Sequence, residues 1–138
     1  MSVDYGGLEN LKKRYEQAQK NFIKFIEDFL FEQGMRALRK TKLRTPVDTG
    51  TLRNGWTIDG NVKREGKNFI IYIKNPVEYA SFLEYGHTKQ NRIGWVDGYF
   101  MATVSIQEVQ DALPRRWNAA FIKFLENPNF TGGENDSR

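Results

Sequence analysis

Cysteine is absent from the 138 residues, and histidine occurs once, as His87. The first absence excludes disulfides, thiol nucleophiles and thiolate metal sites. The second leaves no imidazole pair for a histidine-based metal centre. Asp48, Asp59 and Asp97 are scattered, outside any calcium-loop spacing. The glycines at 50, 55 and 60 are not followed by the Gly-Lys-Ser/Thr of a phosphate loop. No apolar run approaches the roughly 18 residues that cross a bilayer, and the first residues lack a basic-then-apolar leader. The expectation is a soluble chain made in the cytoplasm, with no cofactor, no metal and no membrane contact.

What is present suits one packed domain. The chain is 39% hydrophobic and 14% aromatic, too rich in Phe, Tyr and Trp for a disordered segment. The net charge is +4. It is unevenly placed: residues 1–45 hold ten Lys/Arg against six Asp/Glu, and residues 97–138 hold four against six. Such a split can attract nucleic acid, and it can equally give complementary faces to copies packed in a ring.

Leu8, Leu11, Tyr15, Ala18, Phe22, Phe25 or Ile26, and Phe29 recur at gaps of three and four, which predicts a helix from Leu8 to about Lys42. Gly34 is a place for it to bend or break. Pro46 disfavours helix at Thr45. "WTIDGNV" and "NFIIYIKN" predict two antiparallel strands, roughly 55–64 and 67–75, with a turn near Arg64 to Gly66. Phe69, Ile71 and Ile73 share one face, and Ile70 and Tyr72 the other, so both faces are expected to be covered. Two strands do not form an independent sheet, so further strands are expected from the loops or another chain.

"NPVEYASFLEYG" predicts a short helix capped by Asn75, with Pro76 first, Glu78 closing a capping box and Gly86 ending it. Residues 87–98 predict a mobile loop that ends in an edge strand at 93–96. A last helix is expected after Asp97 or Gly98, with a kink or break at Pro114. The resulting class is α+β: a small antiparallel β-sheet packed against a long N-terminal helix, a short middle helix and a kinked C-terminal helix. Residues 1–126 form the domain and 127–138 a flexible tail.

Two constellations invite a chemical reading. Glu84, Tyr85, His87 and Lys89 could supply an acid/base set. No activated nucleophile accompanies them, and a loop histidine is the simpler reading, so the chain is not expected to be an enzyme. "MRALRKTKLR" carries Arg36, Arg39, Lys40, Lys42 and Arg44 with no acid, an electrostatic footprint for phosphates. The same residues suit a helix C-terminus, where cations offset exposed carbonyls. His87, Lys89 and Arg92 join them as residues that could face a partner or DNA.

The order "TPVDTGTLRNGW", strand pair, "YASFLEYG", then "GYFMAT" opening a helix resembles the bacteriophage head-tail joining or tail-completion proteins of long-tailed phages and defective prophages. The pattern is Pro-x-Asp-Thr-Gly-x-Leu-Arg, matched at Pro46, Asp48, Thr49, Gly50, Leu52 and Arg53. A later Glu-Tyr-Gly matches Glu84, Tyr85 and Gly86. The aromatic-led third motif matches at Phe100, with Ala102 one position early and Gly98-Tyr99 where a proline is common. Gly55 stands where a serine is frequent.

The resemblance implies a virion structural protein of the phage neck, not an enzyme. It would act as a homo-oligomeric ring between a head-closure or connector protein and a tail-terminator or tail-tube protein, with non-specific DNA contact in the lumen. A small basic nucleic-acid-binding module is the alternative. Within the first motif, Pro46 would end the helix, Asp48 and Thr49 would bond the turn, Gly50 would take positive φ, Leu52 would anchor the core and Trp56 would begin the sheet. Arg53 is expected to pair with Glu84.

Overall fold

The computed structural model describes residues 6–46, 50–77, 80–88, 95–98 and 100–128, with backbone alone at 82–83, 87–88 and 95–97. Its elements are α1 (Gly6–Arg44), α2 (Thr51–Gly55), β1 (Thr57–Ile58), β2 (Lys63–Glu65), β3 (Asn68–Ile70), β4 (Ile73–Lys74), α3 (Ala80–Tyr85), β5 (Gly86–Thr88), β6 (Trp95–Asp97) and α4 (Met101–Glu126). The α+β class is as expected, with helix predominating over three antiparallel strand pairs.

The two long helices set the frame by packing antiparallel. Lys40 of α1 meets Glu108 of α4 at 2.9 Å, Gln33 meets Arg116 at 3.2 Å, and Phe22 lies against Phe121 and Phe124 with ring centroids 6.0 and 5.8 Å apart. The apolar stripe of α1 supplies Phe22, Phe25 and Phe29, and α4 answers with Trp117, Phe121 and Phe124. Phe25 is almost wholly buried, stacked on Phe124 at 4.7 Å and tilted against Trp117 at 5.2 Å. Such pairs add roughly 0.5–1.5 kcal/mol each beyond the area they bury. Because α4 ends at Glu126, beside Phe22, residues 6–20 of α1 run on with every position exposed.

At the other end a second apolar cluster gathers Leu38, Leu52, Trp56, Ala80 and Met101, one from each of four helices plus the start of the strands. The strands 55–64 and 67–75 prove to be one interrupted hairpin. β1 pairs with β4 and β2 with β3, and the Asp59 N–H bonds the Tyr72 carbonyl at 2.8 Å between them. Residues 60–62 there stand opposite Ile71 alone, so two extra residues form a bulge, with Gly60 at φ 69. The turn falls at Gly66 and Lys67, one residue later than expected, with Gly66 at φ 62.

Gly34 does not interrupt α1. A Cβ there would lie 2.5 Å from Ile71 Cδ1, so the missing side chain lets the bulge rest on the helix. The opposite face, expected to be covered by helices or a neighbouring subunit, is only partly covered within one chain: Ile70 is half-buried, and Tyr72 is exposed, its hydroxyl donating to Glu65 at 3.0 Å.

Other boundaries also move. α3 starts at Ala80, not Pro76, although Asn75 Oδ1 accepts from the Val77 N–H as a cap would; Glu78 lies outside the described residues. Gly86, at φ 93, ends α3 as expected. The segment taken as a loop is partly a hairpin, β5 on β6, with His87 opposite Val96. The expected strand at 93–96 is found at Trp95–Asp97. α4 runs unbroken through Pro114.

Candidate functional site

The stretch from Arg44 to Trp56 is a joint whose parts are fixed from inside α1. Thr41 donates its hydroxyl to the Ala37 carbonyl and Thr45 to the Thr41 carbonyl, each at 2.7 Å, so the last turns carry their own side-chain bonds. Thr45, fully buried, then accepts from the Trp56 indole Nε1 at 2.9 Å. Arg53 Nη2 donates to the Thr45 carbonyl at 3.2 Å. One threonine thus holds both the tryptophan and the arginine of the motif, and it closes the chain reversal over eleven residues.

Inside the joint, Pro46 follows the helix end, half-buried, and Gly50 sits at φ 77 where α2 begins, its carbonyl accepting from the Asn54 N–H at 2.9 Å. Leu52 is buried in the core cluster, a burial worth about 1.5–3 kcal/mol. Asp48 and Thr49 lie outside the described residues. Asn75 pins α2 from the far end of the hairpin: its Nδ2 donates to the Leu52 carbonyl at 2.7 Å and its Oδ1 accepts from the Val77 N–H at 3.0 Å. A Cβ on Gly55 would overlap that Oδ1, which accounts for glycine where serine is frequent.

Glu84 does not pair with Arg53. It is 5% exposed and accepts from the Ala102 N–H at 3.0 Å, and from the Thr103 N–H and hydroxyl at 2.7 Å each. These are the first amides of α4, which have no partner within the helix, and a carboxylate is favoured there by the helix dipole. The local chain cannot supply the cap, because Phe100 sits at the N-cap position with φ 48 and no capping side chain. Its N–H bonds the Glu84 carbonyl at 3.0 Å, and its ring meets Tyr85 edge-on at 6.5 Å. Gly98 is required by contact: a Cβ would run into the Glu84 carbonyl and the Gly86 N–H. "EYG" and "GYFMAT" are therefore two halves of one cap.

The basic end of α1 is drawn onto two carboxylates. Arg36 and Arg39 lie 3.9 and 3.6 Å from Glu32, while Lys40 and Arg44 both bond Glu108 of α4. Those two hydrogen bonds, to Lys40 first and then Arg44, hold the Glu108 carboxyl below the ordinary glutamate range. Arg116, missed in the sequence, lies close enough to Arg36 and Arg115 that burial and their like charge lower its pKa. Lys42 is half-buried. His87 is placed by its backbone in β5, and Lys89 and Arg92 lie outside the described residues.

Thr45, Thr103 and Glu108 were also missed, and Asn75 was read only as a local cap and not as the partner of the Leu52 carbonyl. The i, i+4 threonines at 41 and 45 and an aromatic at a helix N-cap were the available signals; no local pattern announced Glu108 or the bond from Asn75 to Leu52. Among the described residues no cluster of His, Asp or Glu could hold a metal ion, and no helix is long and apolar enough to cross a membrane.

No curated protein and no solved structure matches the chain. A family model does, over residues 9–86, from the exposed start of α1 through the joint and hairpin to the Gly86 that ends α3. That match takes in the first two motifs, with Arg53 and Glu84 themselves, and more than half of the residues, while the α4 amides that Glu84 caps lie beyond it. The chain belongs to this family, "Bacteriophage HK97-gp10, putative tail-component", and so to the structural proteins of phage tails.

Proposed function

We propose that the chain is a neck protein that joins the capsid connector to the tail and acts as a ring of copies. The observation that carries this reading is the family match over residues 9–86, which contains the joint. The geometry is consistent with a structural role: the polar contacts at Thr45, Asn75 and Glu84 bind elements to one another. In this reading a head-closure protein lies on one side and a tail-terminator or tail-tube protein on the other, with packaged DNA crossing the lumen.

A phage carrying a nonsense mutation in this gene tests it. Filled heads and complete tails, unattached to each other, should accumulate, and added protein should restore joined particles in mixed extracts. Joined, infectious particles made without the chain would overturn it. The nucleic-acid-binding alternative is weakened because four of its five cations are engaged by Glu32 and Glu108.

A further inference from the structure

The apolar stripe of α1 does not stop where its cover does. Leu8, Leu11 and Tyr15 continue the line of Phe22, Phe25 and Phe29, yet they are 58%, 62% and 64% exposed. They stand on an arm, residues 6–20, about 22 Å long at 1.5 Å per residue. The arm is one unbroken helix with the body, so it cannot fold back to cover its own stripe.

The body carries a surface of matching kind. An open groove of ≈ 480 Å³ lies between α1, the β2–β3 turn, β3 and α4, walled mainly by apolar side chains such as Ile26, Phe29, Leu30 and Trp117, with Lys67 and Asn68 beside them. On the neighbouring face of α1, Glu27 and Asp28 line a second hollow with Asn61 and Val62. The arm holds four cations, Lys12, Lys13, Arg14 and Lys20, against Glu9 and Glu16. Apolar stripe and basic flanks on one surface thus answer apolar groove and acidic flank on another.

We propose that the arm of one copy lies in the groove of the next. Both surfaces belong to every copy and differ from each other, so the contact can repeat head-to-tail and close into a ring when the rotation allows, whereas reciprocal exchange would stop at a dimer. A half-cylinder of the arm offers about 350 Å², given a helix about 10 Å across, below the roughly 800 Å² per partner of a standard interface. Single contacts are therefore weak, and closure, which gives each copy two of them, stabilises the ring. The proposal rests on the ring reading above and names the surface that makes it.

The test uses full-length protein and the absence of native cysteine. Mass measured by light scattering over rising concentration should show oligomers for the wild type and monomer for Leu11→Glu, with unchanged helical circular dichroism. Mixing Leu11→Cys with Leu30→Cys chains under oxidation should give 11-to-30 disulfides. Those positions are about 28 Å apart along one helix, so the bond joins two chains.

A wild type that stays monomeric at every concentration, as it would if residues 129–138 covered the arm, overturns the proposal. So does an oligomer indifferent to Leu11→Glu, or crosslinking between Leu11→Cys chains alone. An oligomer that survives Leu11→Glu leaves the ring standing on other surfaces, whereas joined particles made without the chain remove the neck role itself.

Discussion

Glu84 and Thr103 share two hydrogen bonds of 2.7 Å, from the N–H and the hydroxyl of the threonine, across nineteen residues of sequence. The carboxylate that closes α3 is the cap of α4. The turn of the short helix, the β5–β6 hairpin and the start of the last helix therefore hold or fail together.

Removing that carboxylate should cost more than an ordinary cap. Charged hydrogen bonds contribute roughly 1.5–3 kcal/mol net, and a cap residue typically about 1 kcal/mol. Glu84→Ala should lose about 2–3 kcal/mol of unfolding free energy in urea titration, with Glu84→Gln losing less because it keeps an acceptor. Thr103→Val should remove only the hydroxyl share, about 1 kcal/mol. A Glu84→Ala protein as stable as the wild type would remove the cap from the account.

Arg53 and Glu84 invite pairing in the sequence, but each bonds another element, Arg53 the Thr45 carbonyl and Glu84 the start of α4. A double-mutant cycle of Arg53→Ala with Glu84→Ala should be additive within about 0.5 kcal/mol. Thr45→Val with Trp56→Phe should not be, since the Trp56 indole bonds the Thr45 hydroxyl in the core. Their interaction energy should be about 1 kcal/mol. Coupling in the first cycle and none in the second would reverse this picture of the joint.

The helices were legible because their signal is periodic: the stripe from Leu8 to Phe29 predicts α1 to within two residues of Gly6–Arg44. The bulge at residues 60–62 was not, because strand patterning assumes an unbroken period of two, and Gly60 reads as an ordinary turn glycine. α3 was placed four residues early because Asn75 and Pro76 make a sound local start. Asn75 does accept from the Val77 N–H as a cap would, but its amide is also tied to the Leu52 carbonyl by a long-range bond that no local window contains. Gly34 likewise looks like a weak point in a helix, and only the approach of Ile71 reveals it as a packing requirement. The motif residues stood out as a group, but Arg53 was matched to the wrong partner because opposite charge says nothing about distance.

Gly55 should be intolerant of a side chain. Asn75 is held on both sides, by the Leu52 carbonyl and the Val77 N–H, so it cannot swing away from a new Cβ without breaking a bond. Gly55→Ala and Gly55→Ser should each lose about 1–3 kcal/mol, the range for overpacking. On an Asn75→Gly background the added cost of Gly55→Ala should largely vanish, read as converging urea midpoints. Equal costs on both backgrounds would show that Asn75 is not what the side chain meets.

The contact between Glu108 and the pair Lys40 and Arg44 ties the basic end of α1 to α4, and its pH dependence has a definite sign. The folded-state pKa of Glu108 lies below the ordinary glutamate value of about 4.5. The unfolded chain therefore binds the proton more readily, and ionised Glu108 favours the folded state above about pH 4.5. That advantage is lost as pH falls through the lower folded value. The wild type should exceed Glu108→Gln in stability at pH 7, and the gap should shrink progressively as the pH is lowered below about 4.5. Because the side chains are exposed to solvent, the gap should also narrow at 1 M salt, where the screening length is about 3 Å. Urea midpoints for both proteins from pH 7 down through the acid range decide it: a gap that does not change with pH would mean that Glu108 acts through packing rather than charge.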